Sequence, residues 1–174
     1  MKYAVVDDNG QLQDEWTVYS IGGGALAEEG ANTLETPDLY ELDHLEDIKQ
    51  WCEYRGKSYW EYVEECEGPD IWEYLAEVWQ VMREAVERGL DNEGVLPGCL
   101  KLRRKAYALA VSEENASGGR IVTAPTCGAC GVVPAVLYHI QKSRKFSDKR
   151  ILHALATAGL IGNIAKSLAS ISGA

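Results

Sequence analysis

The chain has 174 residues, 46% of them hydrophobic, enough for one domain with an appendage around a buried core. Its formal net charge of −10 argues against nucleic acid as the main partner. The charge is uneven: 20 acidic and 5 basic side chains lie between Glu28 and Glu93, against 3 and 11 between Gly94 and Ala174. Either the halves attract each other, or the basic half meets an anionic ligand, or both are ordinary solvated faces. Five cysteines, an odd number, follow an N-terminus without a secretory pattern. Together they point to a reducing cytoplasm and to free or metal-bound thiols. No apolar run is expected to span a bilayer. The nearest, Ile151 to Ile171, is interrupted by His153, Asn163 and Lys166 and reads as a buried helix.

Strands are expected near Tyr3–Val6 and Glu15–Ser20, joined through Asn9-Gly10, a dipeptide suited to a tight hairpin turn. A two-stranded ribbon is marginal alone and predicts a partner surface. Gly22-Gly23-Gly24 ends the second strand, and residues 25–36 read as a linker. Thr36-Pro37-Asp38 opens a helix whose Leu39, Leu42, Leu45 and Ile48 recur at helical spacing to about Tyr54. After Gly56, Ser58 with Glu61 forms a capping box for a second helix, broken by Gly68-Pro69. Asp70 caps a long helix with Ile71, Tyr74, Leu75, Val78, Val81, Met82 and Val86 on one face, ending at Gly89. Four of the five tryptophans lie between Trp51 and Trp79 and read as packing anchors. The acidic runs at 46–47 and 64–67 read as solvated helix faces. A loop from Asp91 to Gly98 precedes a helix over Lys101–Glu114. Further helices are expected over Val132–Lys145, with Pro134 in its first turn, and from Ser147 or Asp148 onward, where small residues permit close packing.

Between two of these helices lies Asn115-Ala-Ser-Gly-Gly-Arg-Ile-Val-Thr-Ala-Pro-Thr-Cys-Gly-Ala-Cys130, a stretch far richer in chemistry than a connector needs. Its glycines let the backbone approach a ligand or take positive φ. Gly118, Gly119 and the helix start near Gly131 offer N–H groups to an anion, and Arg120 offers a guanidinium to a carboxylate. Asn115, Ser117, Thr123 and Thr126 are candidate ligand contacts or plain helix-terminating residues. Cys127-x-x-Cys130 has three readings: a redox dithiol, small buried hydrophobes in a turn, or soft ligands for iron. Cys52, Cys66 and Cys99 show no ligand spacing. His44, His139 and His153 read as packed or surface residues, and no residue stands out as a general base.

This glycine- and threonine-rich stretch, continued by Gly131-Val-Val-Pro-Ala-Val-Leu137, resembles the α-domain motif of the bacterial iron–sulfur L-serine dehydratases (L-serine ammonia-lyases). Trp16–Gly24, Gly94–Arg104 and Ala158–Asn163 through Ile171–Ala174 resemble other segments of that family. The resemblance implies a mainly α fold: a helical α-domain core over 37–174, incomplete at its C-terminal end, behind a linker at 26–36. A β-hairpin over 1–25 is the remnant of an α+β domain. It implies a cytoplasmic lyase of L-serine catabolism that deaminates L-serine to pyruvate and ammonia by α,β-elimination. There the open iron of a 4Fe–4S cluster acts as a Lewis acid on the C3 hydroxyl. Cys130, with Cys127 beside it, occupies the position of a cluster ligand; the other cysteine ligands of the family lie downstream of this chain. Partners implied are L-serine and either a second copy or the remainder of the enzyme. The alternative is a catalytically inactive interaction or regulatory module.

Overall fold

In a computed structural model, the described residues are 2–7, 11–22, 25–30, 39–91, 107–123 and 130–168. They form a small antiparallel sheet followed by six helices. Strand β1 (Lys2–Val6) pairs with β2 (Leu12–Gly22), and β2 pairs with β3 (Ala25–Glu28), in the order β1-β2-β3. Tyr3 sits directly opposite Trp16 and their rings stack at 5.8 Å, a cross-strand pair that fixes the register. The sequence reading ended the ribbon at the glycines and assigned 25–36 to a linker. The structure instead places a third strand over Ala25–Glu28, with Tyr19 opposite Ala27 and a bulge between Ser20 and Gly22. A short strand of small and apolar residues carries too little periodicity to be read beside three glycines. Tyr3, Val5, Leu12 and Tyr19 remain exposed on the sheet.

The helices are α1 (Leu45–Arg55), α2 (Tyr59–Glu67), α3 (Ile71–Asp91), α4 (Tyr107–Ala116), α5 (Val132–Arg144) and α6 (Asp148–Leu168). The α1 helix begins well after the expected Pro37 signal, which lies outside the described residues. Leu39 to His44 are non-helical, and Leu39 and Leu45, expected at helical spacing in one helix, are exposed. Gly56 closes α1 in the left-handed region at φ 63°, its N–H donating to the Cys52 and Glu53 carbonyls. The Ser58–Glu61 capping box forms as expected, the Ser58 N–H donating to the Glu61 carboxylate at 2.7 Å.

Long α3 is the spine. It packs on α4, α5 and α6, while α2 packs on α6. Ile48, Val86, Val111 and Ile151 are almost fully buried at the centre. Two glycines set how close the helices lie. A Cβ on Gly89 would stand 2.4 Å from the Ala110 carbonyl oxygen, and one on Gly131 would stand 2.4 Å from that of Ala108. Thus α4 rests against bare backbone on both sides. Gly89, expected to end α3, lies inside it and serves this contact. The tryptophans act as packing anchors: Trp79 is buried, and Trp60 stacks flat on His153 at 3.8 Å, with Trp72 tilted against the same imidazole at 5.3 Å.

The expectation of a buried last helix is only half met. In α6, Ile151, Leu155, Ala156 and Leu160 are buried, but Ile161 and Leu168 are exposed. This helix is also long and apolar enough, by length and composition, to cross a membrane, which the interruptions by His153, Asn163 and Lys166 had argued against.

Candidate functional site

A cavity of about 350 Å³ opens where residues 122–123 and the start of α5 meet α2, α3 and α6. Leu75, Met82, Leu155 and Leu160 supply apolar wall, and Tyr40, Glu67, Thr123, Cys130 and Asn163 supply its polar points. The glycine-rich stretch thus delivers Thr123 and Cys130 to one cavity. Cys130, 6% exposed, lies immediately before α5. The first amides of a helix have no carbonyl partner within it. In α5 the i→i−4 pattern starts at Ala135, whose N–H donates to the Gly131 carbonyl at 3.2 Å, and Pro134 has no N–H at all. Val133 and Pro134 of this first turn line the cavity, so the positive end of the helix favours an anion there.

The preceding turn has a different role. Gly118 takes φ 76°, its N–H donating to the Asn115 carbonyl at 3.2 Å, and the Gly119 N–H donates to the Glu114 carbonyl at 2.7 Å. This is the Schellman pattern that ends a helix. Both Ser117 donors, N–H and hydroxyl, reach the Glu113 carbonyl, at 2.9 and 2.7 Å. Arg120 is exposed and pairs with Glu77 of α3 at 3.2 Å. Asn115, Ser117, Gly118, Gly119 and Arg120 therefore terminate α4, and the cavity lining takes up the chain again at Val122 and Thr123. Thr126 and Cys127 lie outside the described residues.

Three polar residues of the cavity carried no clear sequence signal. Tyr40 donates to Glu67 Oε1 at 2.8 Å. Burial, reinforced by that carboxylate, pushes the Tyr40 hydroxyl well above the usual tyrosine range, so it remains a donor. Glu67 had been assigned to a solvated face, yet it is half-buried on the cavity, and Glu64 of the same run accepts from Trp72 Nε1 at 2.7 Å. Asn163, on α6, is the third. The one available signal was for Asn163, which closes the Ala158–Asn163 segment that resembles the family.

The described residues fit one ligand position for an iron–sulfur cluster, not a complete site. Cys130 lines the cavity. Burial raises the thiol pKa of Cys52 and of Cys66, keeping both neutral, and neither is part of the lining. Among the described residues, the grouping of His, Cys, Asp and Glu with mutual ligand reach is Asp43, His44 and Asp47, all exposed.

Comparison with known proteins agrees with the motif. Residues 26–174 match the family described as serine dehydratase alpha chain. The chain is 38% identical to the L-serine dehydratase TdcG of Escherichia coli strain K12, the match covering 91% of this chain and 43% of that protein. It is 35% identical to the L-serine dehydratase of Haemophilus influenzae, covering 100% of this chain and 46% of that protein. It is 37% identical to the L-serine dehydratase of Streptomyces coelicolor, covering 91% and 42% respectively. The chain spans less than half the length of these relatives. With its motif at the mouth of a helical cavity and its match running through all six helices, the chain belongs to the serine dehydratase alpha chain family.

Proposed function

We propose that this chain supplies the α-domain part of a cytoplasmic L-serine dehydratase, the enzyme that deaminates L-serine to pyruvate and ammonia. The observation that carries the reading is the convergence of Thr123, Cys130 and the α5 N-terminus on one cavity inside the matched region. The α5 start and the Thr123 hydroxyl suit the substrate carboxylate. Glu67, held by Tyr40, and Asn163 suit its ammonium group. The apolar walls limit water around the reacting carbons. Cys130 is one thiolate ligand toward an iron–sulfur group whose other ligands come from outside the described residues.

L-serine titrated into the 15N-labelled chain tests this. Shifts at Thr123 and Asn163, absent with D-serine, are expected. No shift at either up to millimolar L-serine removes these residues from the substrate site. Iron and labile sulfide after anaerobic reconstitution, measured on wild type and Cys130→Ala, test the ligand role: iron bound by wild type and lost in the variant is expected.

The second reading, an interaction or regulatory module without catalysis, is favoured by one fact: Cys130 is the single described cysteine on the cavity. It requires a chain that folds without iron and produces no pyruvate even when joined to the remaining part of a relative.

A further inference from the structure

The loop that carries the candidate site is held from outside by a charged pair that the proposed reaction does not use. Glu114, near the end of α4, is buried, with 8% exposure. Its carboxylate accepts from Arg88 Nε of α3 at 2.9 Å, while its carbonyl accepts the Gly119 N–H at 2.7 Å. The same guanidinium reaches past it, Arg88 Nη2 donating to the Arg120 carbonyl at 2.7 Å. One arginine therefore bridges the last turn of α4 and the main chain beyond the left-handed Gly118. Gly119 makes room for this: a Cβ there would stand 2.6 Å from Glu114 Oε2 and 3.0 Å from the Glu114 carbonyl oxygen. The Arg120 side chain returns to the same helix through Glu77, so α3 holds that residue by both main chain and side chain. Two residues further on, Val122 and Thr123 enter the cavity lining.

We propose that Arg88 and Glu114 are positioning residues: they fix the Ser117–Arg120 turn on α3 and so set where Thr123 enters the cavity. The proposal rests on the L-serine reading for its consequence, but not for its geometry. A guanidinium that makes one charge-assisted bond to a carboxylate and a second bond to a neighbouring carbonyl is directional as well as strong, which is what aiming a loop requires. An arginine is needed, because a lysine ammonium cannot span the carboxylate and the carbonyl in one plane.

The test uses Arg88→Met, Arg88→Lys and Glu114→Gln in the whole chain, with Ile48→Val of α1 as a control for general loss of stability. Amide exchange at Gly118 and Gly119 and the Thr123 amide shift are read without ligand, and L-serine affinity is read separately. Arg88→Met is expected to speed exchange at Gly118 and Gly119 by on the order of tenfold and to move the Thr123 resonance. Arg88→Lys and Glu114→Gln should fall between it and wild type. Ile48→Val should alter neither the local pattern nor the affinity. Unchanged exchange and an unmoved Thr123 in Arg88→Met overturn the proposal, as does acceleration spread equally over α1, α2 and the turn. Wild type that binds no L-serine removes the substrate reading, and the ligand-free measurements still decide the positioning role. Wild type that binds, with affinity untouched in a variant whose turn is loosened, overturns the link between turn and cavity.

Discussion

Gly89→Ala sets two effects of known size against each other. Within a helix alanine is favoured over glycine by about 0.8–1.0 kcal/mol, so propensity alone makes the variant more stable. The structure reverses the sign. The new methyl would lie 2.4 Å from the Ala110 carbonyl oxygen, 2.6 Å from its carbonyl carbon and 2.8 Å from its Cα. All three are backbone atoms of a packed helix, so no side chain can swing away. Relief requires α4 to move off α3 by about 1 Å, loosening the contacts of buried Val111 and Val86. Overpacking costs about 1–3 kcal/mol, and three rigid backbone atoms within 3 Å put this site in the upper part of that range, leaving a net loss of about 1–2 kcal/mol after the propensity gain is subtracted. For a chain of this length the melting temperature should fall by roughly 2–8 °C. Thermal unfolding followed by circular dichroism measures it, with Gly159→Ala as the partner experiment. A Cβ at Gly159 meets nothing within 4 Å, so there propensity should prevail and the melting temperature should rise by a few degrees. An unchanged or raised melting temperature in Gly89→Ala would refute the close-approach argument.

The remaining predictions concern the turn, the cavity and one imidazole. Gly118→Ala forces a side chain into φ 76° and should cost about 1–2 kcal/mol in urea unfolding, although a Cβ meets nothing there. Tyr40→Phe removes the hydroxyl that donates to Glu67 and should cost about 0.5–1.5 kcal/mol by the same assay. For His153, burial and then Lys149 lower the pKa below 6.5, against the opposing charges of Glu64 and Glu61. The neutral ring is thus the folded form, and its stabilisation is complete above pH 6.5 and lost as pH falls through the folded value. The stability difference between wild type and His153→Gln should therefore shrink on acidification through that window, and a difference independent of pH would contradict it.

Much of this was legible in the residues. The Ser58–Glu61 box, the Gly68-Pro69 break and the apolar stripe of α3 are local signals, and local geometry obeyed them except at Tyr74, which the stripe included and the structure leaves 63% exposed. The Cys130 motif was legible as chemistry, and it does face a cavity. The roles of the surrounding residues were less so. Gly118 and Gly119 were read as N–H donors to an anion, but a helix terminus asks for the same glycines, because a left-handed residue and close approach serve either role. Only the acceptors of their N–H groups, the Asn115 and Glu114 carbonyls, distinguish the two. Glu67 looked like one more acid in an acidic run, and its difference from Glu65 lies in which side of α2 meets Tyr40. Gly89 and Gly131 resembled helix punctuation, yet their function is fixed by α4, distant in sequence from Gly89 and approached from both sides. Such contacts between elements leave no periodicity to read.

The stack of Trp60 on His153 joins α2 to α6 through two flat rings 3.8 Å apart and 8° from parallel. An indole in that position is an optical gauge. A protonated imidazole in van der Waals contact withdraws the excited-state energy of the indole far more effectively than a neutral one. Of the five tryptophans, Trp60 and Trp72 lie against that imidazole, so the share of the natural fluorescence that comes from them, isolated by replacing the other three, reports both the charge on His153 and whether α6 is seated.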